Sequence, residues 1–265
     1  MIPEYINSDS IFIKHSTGIN SWPIPNDAES LNIRAHLMLE KNETFIAKKK
    51  VLIIGCHNGI FPYFCLKLGA NFVKGLFLNN GYVETAKNNF QSLNLNPNKY
   101  AFEETSPQNY LKLIKDNEYD TIICLHSAAY YQDHYQFIYE LHKKTKEVAI
   151  IDSLTANYTL LLGKKSIPTL EKIKKETFSL PITNYIEENN QIVSYSSETL
   201  FELAFQSTGF KFDKIDWRKH SDNPITNWQE LISLKSKQAS HWTDLYSSNI
   251  AITYVLRKEK TSNVK

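Results

Sequence analysis

Val51-Leu52-Ile53-Ile54-Gly55-Cys56-His57-Asn58-Gly59 is the stretch on which the fold turns. Four consecutive apolar residues that stop at a glycine read as a short strand covered on both faces, the mark of a parallel sheet. The two glycines that follow allow the backbone to come close to a ligand at the strand's carboxyl end. Taken alone, a Gly-x-x-x-Gly turn says little. Its neighbours in the chain give it meaning.

Downstream, apolar strands and helices alternate. Phe61 to Leu68 reads as a helix ended by Gly69, Phe72 to Leu78 as a strand, and Tyr82 to Leu93 as a helix. Tyr100 to Glu103 is a weaker strand, and Pro107 stands at a helix start. Asp120 to Leu125 is a buried strand, then come a helix from Gln132 to Lys143 and a strand from Glu147 to Ile151. Strands alternating with helices give an α/β, doubly wound parallel sheet with Val51 to Ile54 at its centre, flanked by Phe72 to Leu78 and Asp120 to Leu125. Upstream, Asp27 caps a helix carrying Leu31, Ala35, Met38, Leu39 and Phe45, while Pro3, Gly18, Pro23 and Pro25 mark residues 1–30 as an irregular arm. Later, Ser166 to Phe178 reads as a Lys-rich amphipathic helix and Ile182 to Tyr195 as a hairpin or extended excursion. A helix opened by Ser197 closes at Gly209, and Phe210 to Trp217 and Asn249 to Arg257 alternate as strands. The domain reading is an arm over 1–30, an α/β domain over 31–258 with an insertion at 217–248, and a fraying tail over 259–265.

Composition narrows the function classes. Thirty Lys and Arg against 28 Asp and Glu leave a net charge of +2, so no global field attracts nucleic acid, and Lys48 to Lys50 read as a solvated approach to the first strand. Hydrophobic residues at 42% and charged residues at 22% suit a soluble globular protein. Cys56, Cys65 and Cys124 form no CxxC pair, which argues against a disulfide framework or structural zinc. The opening MIPEYINSDS has no signal-peptide pattern, and no apolar run approaches the ~20 residues of a membrane span. A soluble, cytoplasmic protein without a metal is expected.

The ordered set of segments resembles class I AdoMet-dependent methyltransferases. The run Val51 to Gly59 is similar to their first motif, an apolar strand entering a GxGxG turn. LKLGANFVKGLFLNNGYVETAKNNF resembles their second strand and helix, and Tyr119-Asp120 and Thr208-Gly209-Phe210 match further landmarks. The resemblance spans Arg34 to Phe210 and implies a Rossmann-like seven-stranded sheet of order 3-2-1-4-5-7-6, with strand seven antiparallel. It implies S-adenosyl-L-methionine as cofactor, held by Gly55, Cys56, His57, Asn58, Gly59, Phe77, Leu78, Thr105 and Leu125. At three positions where the family usually carries an acid, this chain has Ile53, Phe77 and Thr105 or Ser106. His57 replaces the middle glycine, as a ligand contact or as filler, and the Cys56 side chain reads as a small buried hydrophobe. Glu103, Glu104 and Asn79 are the polar residues available in compensation.

The loop after the fourth strand, Leu125-His126-Ser127-Ala128-Ala129-Tyr130-Tyr131-Gln132-Asp133-His134, faces the transferred group in such folds. His126 is a candidate general base, with Tyr130, Tyr131 and His134 as groups that position or stack on a substrate. His126, Tyr130 and Tyr131 are the candidate catalytic residues; His220 and His241 read as surface residues. The implied activity is methyl transfer to a small molecule. Its rivals are a partner-binding pseudoenzyme that has lost AdoMet and an enzyme using AdoMet for cyclisation or lysis. Trp228, Trp242 and Tyr246, with Trp22 of the arm, make 217–248 a candidate cover for the site or a surface for a protein partner.

Overall fold

A computed structural model describes residues 2–15, 24–77, 80–158, 182–186, 192–221, 224–226, 230–231 and 241–259. Nine strands are found among them: β1 (Lys50–Ile54), β2 (Phe72–Phe77), β3 (Tyr100–Glu104), β4 (Tyr119–Leu125), β5 (Thr145–Leu154), β6 (Ile182–Ile186), β7 (Ile192–Ser196), β8 (Phe210–Lys214) and β9 (Ala251–Lys258). Seven form one sheet of order β3-β2-β1-β4-β5-β9-β8, and β6 pairs with β7 alone. The sheet has the expected order, with a hairpin placed before its last two strands. The chain divides into two compact units, one of residues 1–125, 140–150 and 257–265, the other of residues 126–139 and 151–256.

In the first unit, β1 runs parallel to β2 with Ile54 opposite Leu76, and parallel to β4 with Ile54 opposite Cys124. Val51, Leu52, Ile53 and Ile54 are fully buried, which is why no polar residue interrupts the run. Asp120 opens β4 for a structural reason: its carboxylate accepts the Lys50 N–H at 2.8 Å, tying the start of β1 to its neighbour. The helices α2 (Ala28–Arg34), α3 (Ile60–Lys67), α4 (Asn80–Ser92) and α5 (Pro107–Leu113) begin close to where the pattern puts them. Asp27 caps α2 by accepting the Ser30 N–H at 2.8 Å. The periodicity carried that helix to Phe45. Regular α geometry ends instead at Arg34, followed by a π turn (Ala35–Leu39) and a 3-10 stretch (Glu40–Phe45). Within the 3-10 stretch Asn42 is non-helical (φ −116°), and its amide donates to the Met38 carbonyl at 3.0 Å, competing with the helix ladder there.

The arm departs from expectation too. It contains a short helix α1 (Ile11–Lys14), with Ile6 and Phe12 buried. The N–H groups of Tyr5 and Ile6 donate to Asn32 Oδ1 at 3.0 and 3.1 Å, and Asn32 Nδ2 returns a bond to the Ile6 carbonyl at 2.8 Å. One buried amide therefore stands in for a strand partner, satisfying backbone groups that would otherwise be orphaned. Trp22, the expected helix over 166–178 and Trp228 lie outside the described residues.

In the second unit, β6 and β7 form the hairpin that the pattern around Ile182 to Tyr195 allowed, with Tyr185 opposite Val193. Helix α6 (His134–Lys144) begins in this unit, two residues later than the pattern put it. Helix α7 (Glu198–Thr208) starts where Ser197 Oγ accepts the Leu200 N–H at 3.1 Å and ends at Gly209, φ +89°. Its Phe201 and Phe205 stack, and Phe205 meets Tyr254 of β9 edge-on at 5.3 Å. Helix α8 (Asp244–Ser247) carries Tyr246 onto Trp217, rings stacked at 4.2 Å, with Trp242 edge-on to both. The two ends of the insertion thus meet through three aromatic rings. No described helix is long and apolar enough to cross a membrane.

Candidate functional site

Three left-handed residues shape the turn after β1: Gly55 (φ +83°), His57 (φ +49°) and Gly59 (φ +92°). At Gly59 there is a second requirement, because a Cβ would lie 3.0 Å from the Phe90 ring and 3.2 Å from the Ala86 methyl of α4. Histidine tolerates the left-handed region better than branched residues do, so the turn survives the replacement at position 57. The His57 ring meets Tyr82 edge-on at 6.2 Å. Cys56 points the other way. Its thiol donates to the Ile53 carbonyl at 2.9 Å, lies 3.0 Å from where a Cβ on Gly75 would sit, and is held protonated because burial pushes it up. It is the buried hydrophobe that the sequence suggested, and only its backbone belongs to the turn. Asn58 is buried and donates its amide to the Phe12 carbonyl of the arm. Its own carbonyl accepts from Asn89 Nδ2 at 3.0 Å, and Asn89 Oδ1 lies 2.8 Å from His15 Nδ1. A chain of amides thereby ties the turn to α1.

The loop after β4 belongs to the second unit. His126 has φ +53°, and its N–H donates to the Asp152 carbonyl at 2.6 Å. Its Nε2 lies 3.0 Å from Asp152 Oδ2. Asp152, on β5, is fully buried and accepts two further hydroxyls: Tyr246 at 3.0 and 3.1 Å from its two oxygens, and Thr253 at 3.0 Å from Oδ1. A buried carboxylate needs such partners, since desolvation otherwise expels its charge. Sequence reasoning did not single out Asp152, Tyr246 as its partner, or Thr253. The available signal was an acid inside the apolar run Val148 to Leu154, which is unfavourable unless something pairs with it.

Tyr246 also lines a cavity of about 390 Å³ with Trp217, Lys214, Asp216 and Arg218. Its charges are matched internally: Lys214 pairs with Glu198, and Arg218 forks onto Asp216 at 2.8 and 3.0 Å, holding that carboxyl down at about 2. Among the described residues, no group of His, Cys, Asp and Glu is placed to hold a metal ion.

Solved structures resemble this chain over nearly its whole length. An S-adenosylmethionine dependent methyltransferase from Mesorhizobium loti superposes with a TM-score of 0.55 at 11% identity, covering 85% of this chain and 96% of its own. Magnesium protoporphyrin IX methyltransferase from Synechocystis, with bound SAH, gives 0.53 at 14%, covering 92% and 95%. A SAM dependent methyltransferase from Archaeoglobus fulgidus gives 0.52 at 14%, covering 86% and 94%. The chain has the class I methyltransferase fold. No protein-family model matches the sequence, and no curated protein sequence matches it.

Within a methyltransferase fold the acid positions can be tested against a ribose-bearing cofactor. Ile53 is fully buried. Phe77 is buried as well, edge-on to Phe102 at 5.6 Å, and Phe102 packs on Phe90 and Tyr100. An aromatic cluster therefore fills the end of β2 where a carboxylate would stand. Thr105 is tied by its N–H to the Phe77 carbonyl at 3.0 Å. Of the compensating acids, Glu103 is engaged by Lys74 at 2.6 Å, whereas Glu104 is exposed at the end of β3, opposite Phe77. Leu78 and Asn79 lie outside the described residues. The turn has its left-handed glycines, and Ile53, Phe77 and Thr105 supply no carboxylate beside it.

The remaining predicted residues separate clearly. Leu125 is buried at the end of β4. Tyr131 is buried, its ring 4.0 Å from Phe137 and only 4% exposed, as His126 is at 5%. His134 is buried as well, its Nδ1 on the Ser196 hydroxyl and its ring stacked over Phe201. Burial lowers its pKa to about 4, so it is neutral. Tyr130, half-buried, closes a short 3-10 turn (Ala128–Tyr130) after His126.

Proposed function

We propose that this chain is an AdoMet-dependent methyltransferase acting on a small molecule, with His126 as general base and Tyr130 beside it as a positioning group. The observation that carries the reading is the state of His126. A non-glycine residue is held left-handed directly beyond a central strand, with its ring anchored on a fully buried carboxylate. Strain of this kind persists where surrounding structure over-determines it, and functional sites are where it gathers. Strand ends are also where ligands bind in open α/β sheets.

AdoMet, when bound, supplies an electrophilic methyl group. The residues do the rest. The backbone of Gly55, Cys56, His57, Asn58 and Gly59 would hold the methionine and adenosine portions. In the second unit His126 would accept the acceptor's proton, and Trp217 and Tyr246 line a cavity of about 390 Å³, a volume within the ordinary range for ligand pockets.

A lost charged hydrogen bond removes ~1.5–3 kcal/mol, so AdoMet should bind roughly ten- to a hundred-fold more weakly than where a ribose carboxylate is present. Calorimetry with AdoMet and S-adenosylhomocysteine tests this. Weak but saturable binding supports the reading, and no heat at millimolar ligand sinks it. The second reading, a partner-binding pseudoenzyme, is favoured by the aromatic filling at Phe77 and is the one left standing in that case.

A further inference from the structure

We infer that Asp152 is a positioning residue that fixes His126 as its Nε2–H tautomer, so that the lone pair is left on Nδ1, a buried atom. This rests on the reading of His126 as the base.

The geometry defines the roles. An ionised carboxylate only accepts hydrogen bonds, and a neutral imidazole donates from one nitrogen while the other keeps its lone pair. With Nε2 3.0 Å from Asp152 Oδ2, the proton belongs on Nε2. The carboxylate cannot easily turn away. Tyr246 spans both oxygens, and Thr253 holds Oδ1, the oxygen not facing the ring. The His126 main chain is held as well, because its N–H donates to the carbonyl of the same aspartate at 2.6 Å. Asp152 thus grips His126 at backbone and side chain together. A buried aspartate that orders a histidine in this way is a known physical device: its removal leaves the imidazole in place but with the wrong nitrogen protonated. The four groups come from the loop after β4, from β5, from α8 and from β9, so the arrangement is a product of the fold and not of one sequence segment.

The test needs no acceptor. Histidine-15N-labelled full-length protein is examined by long-range proton–nitrogen correlation at neutral pH, with His126 assigned by loss of its signals in His126→Gln. The expected pattern at His126 is a pyrrole-like Nε2 and a pyridine-like Nδ1. An Nδ1–H ring in the unmodified protein overturns the inference by itself, whether or not any variant folds. In Asp152→Asn the pure Nε2–H pattern should be lost, while Thr253→Val, which leaves Tyr246 and Oδ2 in place, should keep it. A folded Asp152→Asn protein with an unchanged His126 pattern also overturns it. Failure of the function is read separately. A protein that binds no S-adenosylhomocysteine but shows the Nε2–H ring loses the methyltransferase reading and keeps the dyad.

Discussion

Around the turn Gly55 to Gly59, the three positions where the resemblance implies acids carry Ile53, Phe77 and Thr105, and rings from Phe77, Phe90, Tyr100 and Phe102 pack together. Around His126 the opposite holds. There a strand that is otherwise apolar buries a carboxylate completely and commits a tyrosine, a threonine and a histidine to satisfying it. The first region is shaped by backbone geometry, aromatic packing and neutral amides; the second buries a carboxylate among hydroxyls and an imidazole. The contrast is why the reading favours an enzyme with a weakened cofactor anchor.

The largest expected effect breaks the second region. Asp152→Ala removes one partner of a buried pair and strands two hydroxyls, so it should cost about 3–5 kcal/mol of stability. Urea unfolding followed by circular dichroism measures it. A loss under about 1 kcal/mol, the scale of an ordinary surface change, would mean that the network is loosely hydrated and that its burial carries no weight in the comparison.

Next in size is a strike at the first region. Gly59→Ala places a side chain at φ +92° and within 3.0 Å of the Phe90 ring. Left-handed strain of ~1–2 kcal/mol and overpacking of ~1–3 kcal/mol give about 2–5 kcal/mol together. The same unfolding experiment checks it, and a neutral result would show that α4 can retreat from the turn.

Much of the first region was legible in the sequence because its determinants are local. An apolar run followed by glycine specifies a buried strand and a turn, and Asp27, like Ser197 and Gly209 in the second unit, declares a helix end within a few residues of where it acts. The second region was half legible. His126 stands out by its place after β4, but the partners that define it lie 26, 120 and 127 positions away at Asp152, Tyr246 and Thr253, and no short-range pattern links them. The same limit explains Tyr131 and His134. Aromatic and imidazole residues in a loop look equally suited to ligand or core until Phe137 and Phe201 are seen to cover them.

His134 offers a pH test within the second unit. Its folded pKa is about 4, below the ordinary 6.5, because burial disfavours the cation. Between those values the unfolded chain binds more protons, so this contribution to stability is intact above about pH 6.5 and is lost as pH falls toward 4. From pH 7 to pH 5 the loss should be about 2 kcal/mol. Urea midpoints at the two pH values, compared with His134→Asn, isolate it. Equal pH sensitivity in both proteins would show that His134 is not the neutral core residue described.

His57→Gly should change least and discriminate most finely. The substitution relieves a left-handed non-glycine residue, worth ~1–2 kcal/mol. It loses the edge contact with Tyr82, at ~0.5–1.5 kcal/mol, and gives the unfolded chain more freedom, at ~0.5–1 kcal/mol. These terms nearly cancel, so stability should stay within about 1 kcal/mol. The informative readout is therefore affinity for S-adenosylhomocysteine, which a stability change of that size does not disturb. If the ring only fills space against Tyr82, glycine leaves the turn's shape intact and affinity holds or improves. If the ring has taken over part of the work of the missing acids, affinity falls by a factor of ten or so, the value of about 1.4 kcal/mol. The packing on Tyr82 favours the first outcome. The second would sharpen the comparison differently, by showing that the turn did not surrender its polar chemistry but moved it to position 57.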